Sequence, residues 1–148
     1  MFYVEKKLAK YMTDERGKLL LRSSIAILML FHGFKKLNYG ISGVKALVLQ
    51  AGLPEFLAYG VYMGELIIPF LLIAGLFTRF SALILSSTMG VAIYLGFTDK
   101  LLMLDAKTGG PLIELPLLYL LVSLSIVFFR CWKIQLRSKI TSYIKIKI

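Results

Sequence analysis

Four long apolar segments, separated by short charged stretches, dominate the hydrophobic pattern of the chain. They cover about Leu19–Leu37, Phe56–Phe77, Phe80–Phe97 and Pro111–Phe129. At a rise of about 1.5 Å per residue, a helix in each segment crosses an apolar membrane core about 30 Å thick, the third only just. The pattern therefore predicts an all-α integral membrane protein, a four-helix bundle with each segment spanning once.

The connections between the segments differ in kind. Thr78-Arg79 is too short for anything but a tight turn, so the second and third segments form an antiparallel hairpin. The longer loop, residues 38–55, contains an apolar stripe too short to span a membrane, which predicts a short amphipathic interfacial or re-entrant helix. That stripe consists of Val44, Leu47, Val48 and Ala51.

The loop before the fourth segment ends in Gly109-Gly110-Pro111. Glycine pairs favour turns, and proline is well tolerated in the first turn of a helix. We therefore expect the fourth helix to begin at Pro111.

Basic residues predict the orientation and divide the chain. Residues 1–18 form a predicted amphipathic arm, 19–129 the membrane domain, and 130–148 a basic tail. The arm, the Arg79 turn and the tail together hold twelve Lys and Arg, against five in the other two loops and at the end of the first segment. Lys and Arg near span ends favour the cytoplasmic side, so both termini are expected to be cytoplasmic.

Composition excludes several classes of function. Hydrophobic residues make up 58% of the chain, and 18 Lys and Arg stand against 8 Asp and Glu. Because the cations flank apolar segments, we expect membrane lipid headgroups as partners, and no nucleic acid. Cys131 is the single cysteine of the sequence, which excludes an intramolecular disulfide and a CxxC redox pair.

Glu65 is the clearest candidate for function, because it lies well inside the second apolar segment. A carboxylate near the membrane centre costs about 2.5–3.5 kcal/mol on insertion scales. One interpretation is a proton-accepting or ligand-binding carboxylate. The other is an internal ion pair or hydrogen bond that fixes helix packing, and the sequence favours neither.

Other charged residues share the apolar segments with Glu65. His32 lies near the outer end of the first segment and Glu114 near the outer end of the fourth, so both are expected in one polar cluster with Glu65. Lys36 follows His32 by one turn and is included in this candidate cluster, although snorkelling to the headgroups is its simplest explanation. Arg22, at the cytoplasmic end of the first segment, is included among the candidate buried polar residues.

Arg79 is interpreted as a topology anchor at the cytoplasmic turn between the second and third segments. With one histidine in the sequence, a metal or haem site would need carboxylates or an outside ligand, and no metal site or intrinsic cofactor is expected. Several aromatic residues fit either a quinone site or an interfacial belt. They are Tyr59, Tyr62, Tyr94, Phe97 and Tyr119.

Several of these residues, in order, resemble the motifs of the DoxX family of small prokaryotic membrane proteins. Leu20-Leu21-Arg22 opens the first segment, and His32-Gly33-Phe34-Lys35-Lys36 closes it. The remaining motifs are Gly52-Leu53-Pro54, Glu65, Gly75-Leu76-Phe77-Thr78-Arg79 and Glu114. Leu66-Ile67-Ile68-Pro69 departs from the glycines that often follow the family's glutamate, and the basic tail departs from its usual ending.

This resemblance implies a four-helix protein of the prokaryotic inner membrane. Some members of the family are subunits of respiratory oxidase and thiosulfate:quinone oxidoreductase systems, and others look like partners of redox-stress proteins. We therefore expect an accessory, quinone-linked redox subunit with a redox partner protein, rather than a stand-alone enzyme. A proton- or solute-handling transporter, a non-catalytic scaffold and a homo-oligomer remain open alternatives.

Overall fold

The computed structural model describes residues 13–101, 103–104 and 109–129. This part of the chain is helical and contains no β-strand, only an isolated antiparallel bridge between Leu104 and Pro111. The arm before residue 13 and the basic tail from residue 130 lie outside the described residues. The predicted all-helical membrane fold is confirmed.

The described residues form five main helices and a short 3-10 helix, Thr98–Lys100. Helix α1 is Asp14–Tyr39 and α2 is Ser42–Gln50. Helix α3 is Glu55–Ala74, α4 is Thr78–Phe97 and α5 is Glu114–Phe128. Helices α1, α3 and α4 are long and apolar enough to cross a membrane, whereas α5 is apolar but has 15 residues. At about 1.5 Å per residue, α5 alone is shorter than a membrane core about 30 Å thick.

Helices α1, α3, α4 and α5 form a ring in which each packs against two neighbours. Helix α1 contacts α3 and α5, and α4 contacts the same two helices. All four contribute to one apolar core, whose fully buried side chains include Ala26, Leu72, Leu85 and Ile126. Many large apolar side chains point outward instead, as they do in a protein whose solvent is lipid.

The short helix expected in the first loop is present as α2, Ser42–Gln50. Its apolar side turns towards the start of α3 and towards α4, so that Val48 is buried in a small second core with Ile41 and Ala58. Helix α2 therefore lies against the bundle at the ends of α3 and α4.

Two predicted boundaries are wrong. The turn between α3 and α4 is formed by residues 75–77, and Thr78 and Arg79 already belong to α4. Gly75 ends α3 in the left-handed conformation, and the Leu76 N–H bonds to the Leu71 carbonyl at 3.0 Å, which is the Schellman ending that glycine favours. Pro111 lies in the bridge to Leu104, so α5 begins three residues later than expected.

Small residues allow helices to approach closely at particular positions. Gly33 lies against the backbone of α3, and Gly64 lies against Thr88 of α4. Ser86 is buried and donates a hydrogen bond to the Leu120 carbonyl of α5 at 3.5 Å. Gly60, in contrast, has open space where a side chain would be. Gly64 and Ser86 therefore mark helix contacts, and Gly60 does not.

Candidate functional site

Glu65 lies in a π-helical turn in the middle of α3. The turn comprises Met63–Ile67, and the Ile68 N–H closes it by bonding to the Met63 carbonyl, five residues earlier. Single π-helical turns within α-helices occur often at functional sites. The turn buries Glu65, which is 3% exposed, between α1 and the rest of α3.

Lys36 of α1 forms an ion pair with Glu65. Its ammonium donates a hydrogen bond to one carboxylate oxygen, Oε1. The side chain of Lys36 is 31% exposed and that of Glu65 is 5% exposed, so the pair joins the interior to the edge of the bundle. The Tyr62 hydroxyl donates a further hydrogen bond to the Lys36 carbonyl at 3.4 Å.

The second carboxylate oxygen of Glu65, Oε2, does not take part in the ion pair. Oε2 is buried and has no hydrogen-bond partner among the described residues. A buried acceptor without a partner costs about 1–3 kcal/mol, and more when it is charged. The site therefore has one unused hydrogen-bond position on a carboxylate inside the bundle.

A groove of about 300 Å³ opens beside this ion pair, at the end of α1. Its lining residues are His32, Lys35, Lys36, Tyr39 and Gly40. His32 is half-buried and packs edge-to-face on Tyr119 of α5, with 5.8 Å between ring centroids. Lys36 thus belongs both to the groove and to the ion pair, and a ligand in the groove meets the site through Lys36 and His32.

The structure brings together some of the predicted site residues and separates others. Lys36 contacts Glu65 and shares the groove with His32. Glu114 does not join them: it is the exposed first residue of α5, and no contact with Glu65, Lys36 or His32 is seen among the described residues. The interpretation of Lys36 as a headgroup anchor is wrong, since its ammonium is directed to Glu65.

The two arginines lie at the other end of the bundle. Arg22 is 8% exposed, and its guanidinium packs over Gly75, where an added Cβ would be 3.0 Å from Nη1. Arg79 donates a hydrogen bond to the Phe129 carbonyl at 2.9 Å. Both cations therefore hold helix ends together, far along α1 and α4 from the groove.

The aromatic residues do not form one group. Tyr119 and Tyr62 contact the site through His32 and the Lys36 carbonyl. Tyr59 bonds to a different lysine, Lys45, and Tyr94 is 71% exposed. Two of the five aromatics are therefore part of the candidate site.

A second polar cluster connects α2 to α3, and the sequence did not single it out. The Lys45 ammonium lies 2.7 Å from a carboxylate oxygen of Glu55, 3.0 Å from the Tyr59 hydroxyl and 4.8 Å from the centre of the Tyr59 ring. Hydrogen bonding to Glu55, and then to Tyr59, raises the pKa of Lys45 above its ordinary value. The signal available in the sequence was the pair of opposite charges, Lys45 and Glu55, on either side of the turn that follows α2.

In the described part of the chain, no three His, Cys, Asp or Glu side chains are grouped closely enough to hold a metal ion. What the Lys36–Glu65 pair and the groove offer is hydrogen bonding: N–H donors on Lys36 and His32, and a carboxylate acceptor behind them.

Comparison with known families matches the DoxX family model to residues 17–98, more than half of the chain. The matched region contains Gly33, Lys36, Glu65 and the turn at residues 75–77, and it ends before α5 and Glu114. No curated protein and no solved structure matches the chain. The residues that build the candidate site lie in the matched region, except for Tyr119, and the chain belongs to the DoxX family.

Proposed function

We propose that the chain binds a quinone-type headgroup beside the Lys36–Glu65 ion pair and acts as an accessory subunit of a quinone-linked membrane redox system. One observation carries this proposal: an ion pair kept inside an apolar helix bundle, next to a groove that also contains His32. Ionisable residues inside membranes are expensive and therefore point to ligand or proton sites by default.

The chemistry of the groove suits a ligand with acceptor oxygens and an apolar body. An ammonium group has three N–H donors, and the hydrogen bond to Glu65 uses one of them. The remaining donors of Lys36, together with the His32 imidazole, match the carbonyl oxygens of a quinone. Glu65 compensates the charge of Lys36. Exposed apolar side chains of α1, such as Phe31 and Phe34, lie where an isoprenoid tail would run.

The proposal uses the orientation predicted from the distribution of Lys and Arg. With both termini on the cytoplasmic side of a prokaryotic inner membrane, the end of α1 lies at the outer leaflet, and the groove opens there. Electron transfer is assigned to a partner protein, and this chain contributes the binding site.

The experiment is extraction of the native protein in polymer-bounded lipid discs, followed by mass spectrometry of bound lipids and proteins. We expect quinone enriched over bulk lipid, together with a redox protein. The enrichment should fall in Lys36→Met and persist in Lys100→Met, which removes an exposed charge outside the groove. Recovery of bulk lipid alone from the wild type would contradict the proposal.

Proton or solute transport is the second candidate, and the unpartnered Oε2 of Glu65 favours it, because a carboxylate with a free position can accept a proton. Proteoliposomes containing a pH-sensitive dye would then show a proton flux that Glu65→Gln abolishes. A purely structural scaffold is less well supported, since it predicts a fully paired Glu65 and no groove.

A further inference from the structure

Pro69 lies four residues after Glu65, in the middle of α3. In an α-helix the N–H of residue 69 would bond to the Glu65 carbonyl. Proline has no N–H, and its ring clashes with the carbonyl four residues earlier. The regular helix therefore cannot run unchanged through Glu65, and the π-helical turn Met63–Ile67 lies at the place where this conflict arises.

Helix α1 accommodates the carbonyl of Glu65 at Gly33. A Cβ added to Gly33 would be 2.5 Å from the Glu65 carbonyl oxygen and 2.7 Å from Cδ2 of Leu66. No larger side chain fits without moving the α3 backbone. Lys36 follows Gly33 by three residues on the same helix, so the close approach at Gly33 also brings the Lys36 ammonium to the Glu65 carboxylate.

Helix α4 holds the other side of the turn. A Cβ added to Gly64 would be 2.4 Å from Oγ1 of Thr88. That hydroxyl donates to the Ile84 carbonyl at 2.9 Å, which fixes the side chain of Thr88 in place. The π-helical turn is therefore clamped between α1 and α4 through one glycine on each side.

We infer that Pro69 is a positioning residue for the Lys36–Glu65 site, acting through the π-helical turn that it enforces. A π-helical turn adds one residue to the helix, and one residue corresponds to a rotation of about 100°. Without the extra residue, the helix could not direct Glu65 towards Lys36 and at the same time keep Ile68 and Leu72 in the apolar core. The identity of the ligand at this site rests on the proposed function. The placement of Glu65 by Pro69 does not, because it is independent of any ligand.

Pro69→Ala tests this inference, because alanine restores the N–H and favours the regular helix. Pro116→Ala, in the first turn of α5, is the control, because a proline there removes no intrahelical hydrogen bond. A membrane-permeant carbodiimide joins the Lys36 amine to the Glu65 carboxylate only when the two are in contact, and mass spectrometry of the digest detects the product. The Lys18–Glu15 pair of α1, 3.4 Å apart, controls for the reagent.

We expect the Lys36–Glu65 cross-link to be lost in Pro69→Ala and retained in Pro116→Ala, with both variants folded by circular dichroism. Retention of the cross-link in folded Pro69→Ala would overturn the inference. So would failure of Pro69→Ala alone to fold, because Pro69 would then serve packing and not position. Loss of the cross-link in a protein that binds no quinone would leave the inference standing and refute the proposed function.

Discussion

Glu65 and Lys36 depend on each other, because each would otherwise be a single charge among apolar helices. A buried ion pair adds little net stability over an apolar pair, yet the loss of one partner leaves the other charge uncompensated. The sequence identified both residues but could not pair them. Lys36 stands near the end of α1 and Glu65 in the middle of α3, and only the close approach at Gly33 brings them together.

A double-mutant cycle measures this dependence. Because Lys36 is about one-third exposed and can turn to water, we expect Lys36→Met to lower the free energy of unfolding by about 1–3 kcal/mol, less than for a fully buried pair. Glu65→Gln should cost a similar amount, and the double variant less than their sum by about 1 kcal/mol or more. The measurement is reversible unfolding in mixed micelles, with Lys35→Met as the neutral control. Strict additivity would show that the two charges do not interact.

Lys45 gives a separate prediction at this scale. Its pKa is raised in the folded protein, so the stabilisation from its contacts with Glu55 and Tyr59 is complete below the unfolded pKa of about 10.4 and is lost as the pH rises above it. The difference in melting temperature between wild type and Lys45→Met should be constant from pH 7 to 9 and should shrink above about pH 10.4. A difference that disappears between pH 7 and 9 would contradict the assignment.

Helix α3 is the element on which the site depends. Its 20 residues begin as a 3-10 helix at Glu55–Tyr59, continue through the π-helical turn and finish as a regular helix at Ile68–Ala74. Apolar periodicity predicted the existence of the element and its approximate length. It could not predict the π-helical turn, because that turn arises from Pro69 acting together with contacts to α1 and α4.

Gly33→Ala tests the close approach of α1 to α3. The added methyl group would overlap the Glu65 carbonyl and Leu66, and overpacking of this kind costs about 1–3 kcal/mol. Gly17→Ala is the matched control in the same helix, since nothing lies within 4 Å of its added Cβ. That control should be neutral or stabilising by up to about 1 kcal/mol, as alanine is the better helix former. Equal melting temperatures for the two variants would show that α1 and α3 are farther apart.

The described part of the molecule is a ring of four apolar helices, with polar groups concentrated towards its two ends. The groove, His32 and the Lys36–Glu65 pair lie towards the end of α1, and Arg22 lies against the Gly75 turn at the opposite end. The number and order of the helices could be predicted from hydropathy. The exposure of Glu114 could not be predicted in this way. Glu114 is exposed because α5 begins at residue 114 and not at residue 111.

The orientation of this ring is tested by cysteine labelling in a Cys131→Ser background. Ser42, at the start of α2, and Phe77, in the turn before α4, are both exposed. If both termini are cytoplasmic, an impermeant maleimide should label Ser42→Cys in intact spheroplasts and Phe77→Cys only after permeabilisation. The reverse pattern would place the groove at the cytoplasmic leaflet.

The proposed ligand site is tested most directly by titrating a short-chain quinone into the full-length protein in lipid nanodiscs. We expect saturable binding at one site per chain. Loss of one charge-assisted hydrogen bond, worth about 1.5–3 kcal/mol, should weaken that binding by about tenfold or more in Lys36→Met. Lys100→Met, which removes an exposed charge outside the groove, should bind as the wild type does. Binding that never saturates, or equal affinities for wild type and Lys36→Met, would contradict a quinone site at Lys36 and Glu65.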